Sequence, residues 1–218
     1  MKIIYLSDFN CPYSYIGLNR IKNAVCELNL EVEWEMKSFE LEPNAKNLPA
    51  VERFAIKNGL SMKDAEREIA EIEKIAKDDD LTINYKNLFI NSSKDAHRLA
   101  KYVQNNHPKI AQELIFKIFE SNFIENENIS NHDILLKIAT SCGLDENEIS
   151  ELLESSSLNI EVDLDIDEAL SNGITTVPYY FIEYKDERLI IPGVFEKEPF
   201  KIAFEDLTSG KMKNKTYI

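Results

Sequence analysis

The sequence predicts an α/β fold in which a helical domain is inserted between a βαβ half and a ββα half. Three observations support this prediction. Residues 1–38 alternate between strand and helix patterns, the middle of the chain carries helix patterns, and the last third returns to strands. At 218 residues the chain is long enough to bury such a core without disulfide bonds.

The βαβ half starts at the first residues of the chain. Residues 2–7 (KIIYLS) form a short apolar run that is typical of a buried strand. Apolar residues then recur at helical spacing over residues 13–28, and residues 30–37 (LEVEWEMK) alternate between apolar and charged side chains. This alternation predicts a second strand with one buried face, joined to the first by a right-handed crossover.

Residues 45–154 are predicted to form the helical insertion. Within it, residues 61–80 begin with a Ser61–Asp64 capping pattern and carry one apolar stripe, which consists of Ala65, Ile69, Ile72 and Ala76. Residues 1–44 and 155–218 are predicted to form the other domain. Its second part contains a helix that closes on Gly173, two strands around a polar turn at 185–187, and a last amphipathic helix. This order of elements predicts a thioredoxin-like fold.

Composition and charge exclude several classes of function. The net charge of −14 repels the phosphate backbone, so we expect no nucleic-acid partner. No stretch approaches the ~20 apolar residues of a membrane span, and the N-terminus does not resemble a signal peptide, so we expect a cytoplasmic protein that does not bind membranes. The three cysteines and three histidines show neither a disulfide framework nor metal-ligand spacing, so we expect no metal site.

The segment FNCPYSYIG (9–17) carries the candidate nucleophile. Cys11 stands directly before Pro12, which suits the first position of a helix. Unpaired backbone amides and the helix dipole stabilise a thiolate at this place, so we expect a reactive Cys11 with a lowered pKa. The alternative is that Cys11 is a small, buried hydrophobic residue without a reactive role. Ser14 occupies the position where a C-x-x-C redox motif has its second cysteine.

The segment TTVPYY (175–180) places a proline at the start of a late strand. Pro178 is either an ordinary strand-edge residue or the second residue of a cis bond that holds the backbone open beside the thiol. We expect Val177–Pro178 to be cis and to lie against Cys11.

These segments resemble the DsbA-like thioredoxin-fold family, in particular its cytoplasmic FrnE-like branch. The segment SDFNCPYSYIG corresponds to the branch's D-x-x-C-P-W-C-x-x-G motif, and ITTVPYYFI to its cis-proline strand; VEWEMKSFELEP, DAHRL and IPGVFEKEPF match further segments. The resemblance implies that Cys11 is the nucleophilic thiol and Pro178 the cis-proline. It also implies that Val177 offers its backbone to an extended thiol ligand. Tyr13 and Tyr15 flank the thiol and are expected to shape its groove, and Pro12, Tyr13 and Val177 are expected to bind the substrate.

CPYSYIG also resembles the SPYSWLG segment of kappa-class glutathione transferases and 2-hydroxychromene-2-carboxylate isomerases. In that sister group a catalytic serine occupies the position of Cys11, and a Gly-Ser-Asp turn binds the γ-glutamyl end of glutathione. Here that turn falls on Gly193-Val194-Phe195, which lacks carboxylate and hydroxyl groups. We therefore expect weak or no glutathione binding.

The sequence thus predicts a thiol–disulfide oxidoreductase of monothiol type. Cys11 would form mixed disulfides with a disulfide-containing protein or a small thiol, Ser14 would hydrogen-bond the sulfur, and an external low-molecular-weight thiol, used as co-substrate, would resolve the complex. No permanently bound cofactor is expected, and a homodimer is left open. The alternatives are a thiol-dependent isomerase or transferase and a non-catalytic adaptor whose acidic insertion binds another protein.

Three further residues could carry chemistry. Cys26 lies about 22 Å along the same helix at 1.5 Å per residue, too far to bridge Cys11, and both Cys26 and Cys142 are predicted to be core residues. His97 is predicted either to satisfy a buried carbonyl or to act as a general base near the cleft.

Overall fold

The computed structural model describes residues 1–211, in which both halves of the chain contribute strands to one four-stranded sheet. The elements follow one another as β1 (Lys2–Ser7), α1 (Pro12–Glu27), β2 (Glu33–Ser38), β3 (Leu48–Pro49), α2 (Ala50–Asn58), α3 (Met62–Asp78), β4 (Phe89–Ile90), α4 (Lys94–Asn106), α5 (Ala111–Phe123), α6 (His132–Ser141), α7 (Glu146–Glu154), α8 (Asn159–Ser171), β5 (Tyr179–Tyr184), β6 (Glu187–Pro192) and α9 (Lys197–Thr208). A 3₁₀ turn at Tyr85–Asn87 precedes β4.

The strand order in the main sheet is β2-β1-β5-β6. β1 runs parallel to β2, as a helical crossover requires, and antiparallel to β5, and β5 forms a hairpin with β6. Ile3, for example, lies beside Trp34 on one side and Ile182 on the other. This arrangement confirms the predicted α/β fold.

The two faces of the main sheet are covered to different degrees. α1 and α9 pack together on the face that carries Tyr5, Tyr180 and Ile191, which are buried. α8 contacts β2 on the opposite side, where Phe181 is half-buried and Ile190 is exposed. The α1 face therefore forms the deeper part of the core.

The middle of the chain is helical, as predicted, and it packs against α1. The Ser61 side chain accepts a hydrogen bond from the backbone N–H of Asp64, and the predicted apolar stripe of α3 is buried. Phe119 and Phe123 of α5 stack on Tyr15 of α1 at centroid distances of 5.2 and 6.0 Å. One short ladder, β3 with β4, was not predicted, because two-residue strands leave no periodicity in a sequence.

The division into residues 1–44 with 155–218 and residues 45–154 stays a prediction, and residues 212–218 lie outside the described part. Within residues 1–211, no helix combines the length and the apolar character that a membrane span requires.

The prediction that Cys26 is a core residue is wrong, whereas Cys142 is partly buried and packs against the core. Cys26 is exposed, because the buried stripe of α1 ends on Ala24 and Val25 and the next position turns towards solvent. Cys142 is half-buried at the C-terminal end of α6. Both residues and Cys11 are free thiols.

Gly17 allows α1 to approach β5 closely. A Cβ atom at this position would lie 2.3 Å from the Tyr180 hydroxyl and 3.3 Å from Cγ of Pro178. Tyr180 is fully buried, and its hydroxyl has no hydrogen-bond partner among residues 1–211. The tyrosine ring therefore has little room to move away from a larger residue.

We expect Gly17→Ala to lower the free energy of unfolding by about 1–2 kcal/mol, because overpacking outweighs the ~1 kcal/mol that alanine gains over glycine in a helix. In a Tyr180→Phe background the obstructing oxygen is gone, so the same substitution should become neutral or stabilising. Urea unfolding of the four proteins measures this difference. An equal loss in both backgrounds would contradict the close contact at Gly17.

Candidate active site

Cys11 lies at the N-terminus of α1, where the sequence places it. It has extended backbone angles (φ −96°, ψ 110°), Pro12 is the first helical residue, and the backbone N–H of Ser14 donates to the Cys11 carbonyl at 3.0 Å. Proline suits this position because its missing N–H would have no partner inside the helix. The local sequence therefore fixes Cys11 at the entrance of the helix.

The structure brings Cys11 and Val177 together. The Cys11 thiol donates to the Val177 carbonyl, with 3.4 Å between sulfur and oxygen. The Val177–Pro178 peptide bond is cis, and Pro178 is buried where it faces Gly17 of α1. Three of the predicted site residues therefore lie at the junction of α1 with β5.

The pKa of Cys11 differs from the sequence-based expectation. The residue is only 4% exposed, and burial raises the pKa of its thiol to about 11. Hydrogen bonds from the side chain and backbone of Ser14 lower the pKa, but they do not offset the loss of water around the sulfur. The expected lowering of the Cys11 pKa is thus wrong, although Ser14 acts on the pKa in the expected direction.

A cavity of about 440 Å³ opens beside Cys11, between the N-terminus of α1, the segment before β5 and the helical insertion. Pro12, Tyr13 and Val177 line it. The expectation that Tyr15 shapes the groove is wrong, because its ring is buried in a stack with Phe119 and Phe123. The remaining walls of the cavity combine apolar, aromatic and charged side chains, chiefly Leu41, Glu42, Arg53, Phe54, Lys57, Ile72, Tyr85 and Ile90. This volume falls in the usual range of small-molecule sites, ~300–1,000 Å³.

The charged residues of the cavity were not among the site residues predicted from the sequence. Arg53 and Lys57 are four residues apart on α2 and therefore share one face of that helix. Glu42 forms ion pairs with both of them. The i,i+4 spacing of the two cations was a usable signal, but nothing in the sequence placed α2 opposite Cys11.

A buried polar cluster lies behind the thiol. Asp8 is fully buried, and its carboxylate accepts hydrogen bonds from the backbone N–H of Asn10 at 3.0 Å, the hydroxyl of Ser93 at 2.8 Å and the backbone N–H of Leu41 at 2.7 Å. These bonds tie β1, the segment after β2 and the start of α4 together. Asp8 thereby fixes the loop that carries Cys11, whose backbone N–H donates to the Asp8 carbonyl at 3.0 Å.

His97 belongs to this cluster and not to the cavity wall. The residue is 1% exposed, its Nε2 lies 3.8 Å from Oδ1 of Asp8, and its ring packs on Phe9 at a centroid distance of 4.9 Å. Neither ring nitrogen has a hydrogen-bond partner in the described part of the chain. Both predicted roles, a partner for a buried carbonyl and a base in the cleft, are therefore wrong.

The turn at Gly193-Val194-Phe195 contacts α1 instead of the cavity. The Phe195 carbonyl accepts a hydrogen bond from Arg20 at 3.1 Å, and Arg20 also pairs with Asp79 and Glu196. This ion-pair network ties α1 to the C-terminal end of α3 and to the segment before α9.

The chain is similar to known proteins in sequence and in structure. The family model of the DSBA-like thioredoxin domain matches residues 2–204. The uncharacterized protein YwbO of Bacillus subtilis (strain 168) is 26% identical over 205 residues, which cover 92% of this chain and 94% of YwbO.

Two solved structures of low sequence identity share the fold. A probable DsbA oxidoreductase from Streptomyces coelicolor has a TM-score of 0.84 at 23% identity, covering 100% of this chain and 94% of that one. A 2-hydroxychromene-2-carboxylate isomerase has a TM-score of 0.69 at 14% identity, with 98% of each chain covered. The family match over nearly the whole chain and the site at the start of α1 agree, and the chain belongs to the DsbA-like thioredoxin-domain family.

Proposed function

We propose that this protein is a thiol–disulfide oxidoreductase of monothiol type. The observation that carries the proposal is the position of Cys11, which lies at a helix N-terminus, borders a cavity and faces the Val177 backbone at 3.4 Å. An extended thiol ligand in the cavity could pair with that backbone in the manner of an added strand. Ser14 lowers the pKa of the Cys11 thiol but supplies no second thiol.

The reaction proceeds in two exchange steps. The Cys11 thiol loses its proton to solvent and attacks one sulfur of a disulfide; the substrate S–S bond breaks, and its other half leaves as a thiolate that takes up a proton. An external thiol then attacks the mixed disulfide and releases Cys11. In sum, one substrate disulfide and one external thiol give one substrate thiol and a new disulfide between the external thiol and the retained half of the substrate. A second external thiol, which exchanges with this new disulfide, completes the two-electron reduction of the substrate.

The raised pKa of Cys11 favours retention of the mixed disulfide. With a pKa of about 11, only about one part in ten thousand of the thiol is ionised at pH 7. A mixed disulfide is uncharged, so burial does not penalise it, and a thiol of high pKa is a poor leaving group. Cys11 is therefore suited to reducing substrates and holding adducts more than to oxidising them.

We further propose a co-substrate and a cellular compartment for this exchange reaction. A low-molecular-weight thiol resolves the adduct, and no permanently bound cofactor takes part. Such a thiol pool is a property of the cytoplasm, where thiols are kept reduced. The substrate is a disulfide-containing protein or a small disulfide that enters the cavity.

A second candidate function is a thiol-dependent isomerase that acts on a small aromatic molecule. The aromatic walls of the cavity at Phe54 and Tyr85, together with the fold shared with an isomerase, favour it. It requires a thiol cofactor such as glutathione to bind beside Cys11, whereas the monothiol reaction requires Cys11 itself to react.

The pH dependence of Cys11 alkylation tests the buried thiol. Because burial raises the pKa to about 11, the thiolate fraction should rise about tenfold per pH unit up to that value. We expect alkylation of a Cys26→Ser, Cys142→Ser protein by iodoacetamide to accelerate through pH 9 without levelling off. A plateau below pH 8 would show a lowered pKa and contradict the burial effect.

Ser14→Cys should introduce the missing resolving thiol. We expect a local disulfide with Cys11 to form under mild oxidant, and insulin reduction to begin, because residue 14 lies in the first turn of α1 at the spacing of a C-x-x-C motif. Thiol titration before and after reduction measures the bond, and a Cys11→Ser, Ser14→Cys protein serves as the control that cannot form it. A variant that stays fully reduced would rule out this geometry at the start of α1.

Glutathione should bind weakly, with a dissociation constant above about 1 mM. The reason is that the Gly193-Val194-Phe195 turn offers no polar side chain and lies against Arg20 of α1. Calorimetric titration measures the affinity. A micromolar dissociation constant would favour the isomerase.

A further inference from the structure

The cavity wall formed by α2 carries a positive charge in a strongly acidic protein. The net charge of the chain is −14. Among the described residues that line the cavity, however, Arg53 and Lys57 are cations and Glu42 is an anion at neutral pH. Two cations and one carboxylate leave one positive charge, in the same cavity as the Cys11 thiol.

Arg53 is buried, and not all of its hydrogen-bond donors have partners in the described part of the chain. Its side chain is only 10% exposed and pairs with Glu42, yet its Nε has no hydrogen-bond partner within residues 1–211. A buried polar group that lacks a partner costs about 1–3 kcal/mol. The guanidinium can donate hydrogen bonds to a further planar anion, since its N–H groups form a fork that matches a carboxylate.

Lys57 is a second cation that Glu42 neutralises only in part. Its Nζ lies 3.8 Å from the Glu42 carboxylate, which is already paired with Arg53. Burial lowers the pKa of the Lys57 ammonium, and the nearby Arg53 charge lowers it further. An anion between the two cations would reduce this repulsion.

We infer that the small thiol or disulfide which exchanges with Cys11 carries a carboxylate that binds Arg53 and Lys57. This inference rests on the proposed function and names the substrate class for the same cavity. A carboxylate brings one negative charge, which matches the single excess positive charge of the wall. The cavity of about 440 Å³ admits a small molecule, and Phe54 and Tyr85 provide an apolar lining for its carbon chain.

The thiol–disulfide exchange proceeds with such a substrate as it does in the proposed function. Cys11 forms a disulfide with one half of a carboxylate-bearing disulfide, and the other half leaves as a thiol that carries its own carboxylate. The adduct then presents its carboxylate to α2 until an external thiol of the same class releases it.

Three small disulfides of similar length and different charge test the inference. They are 3,3′-dithiodipropionate (anionic), 2,2′-dithiodiethanol (neutral) and cystamine (cationic). The rate at which each forms a mixed disulfide on Cys11 is measured by intact-protein mass spectrometry in a Cys26→Ser, Cys142→Ser background. The rates are compared with and without Lys57→Gln, with Lys109→Gln as the control, because Lys109 is exposed and does not line the cavity.

We expect Lys57→Gln to slow the reaction of the anionic disulfide about five- to tenfold, to leave the neutral one within about twofold, and to accelerate the cationic one. Lys109→Gln should change none of these ratios. Reaction of all three disulfides with rates that do not depend on residue 57 would overturn the carboxylate site while leaving the proposed function intact.

A failure of Cys11 to react with any disulfide would instead contradict the proposed function. In that case calorimetry with octanedioate, the unreactive isostere of the anionic disulfide, still decides on the carboxylate site. Binding that exceeds the binding of 1,8-octanediol and is lost in Lys57→Gln supports the site. No difference between the two ligands overturns it.

Discussion

The close packing of α1 on β5 determines the geometry of the candidate site. Because Gly17 has no Cβ, the helix lies directly against Tyr180 and Pro178. This contact brings the N-terminus of α1 to the start of β5, where the Cys11 sulfur lies 3.4 Å from the Val177 carbonyl. A larger residue at position 17 would separate the two elements, so a contact inside the core controls the distance between two groups at the cavity.

A second apolar cluster decides the chemistry of the thiol. Cys11 is buried in it beside Leu6, Phe39 and Val177. The loss of hydration outweighs the hydrogen bonds from Ser14, so the thiol pKa rises. A resting thiol that donates to a carbonyl is consistent with this protonation state. The cations of α2 lie in the same cavity, so an anionic ligand would find its charge partner and its reaction partner together.

Much of the fold could be predicted from the sequence, because its signals are local. The alternation around Trp34, the Ser61–Asp64 cap and the Cys11-Pro12 helix start each depend on neighbouring residues alone. The position of Arg53 opposite Cys11 could not be predicted, since it depends on how the insertion packs against the sheet domain. The burial of Cys11 and the exposure of Cys26 likewise depend on tertiary packing, so the expected lowering of the Cys11 pKa and the expected core position of Cys26 were wrong.

The most direct measurement is mass spectrometry of the protein isolated from cells after rapid acid quenching and alkylation of free thiols. If Cys11 is an exchanging thiol, we expect a small-thiol adduct on Cys11, although this residue is 4% exposed and Cys26 is open to solvent. If modification instead correlates with solvent exposure, so that Cys26 carries adducts and Cys11 is free, the result would contradict a role for Cys11 in disulfide exchange.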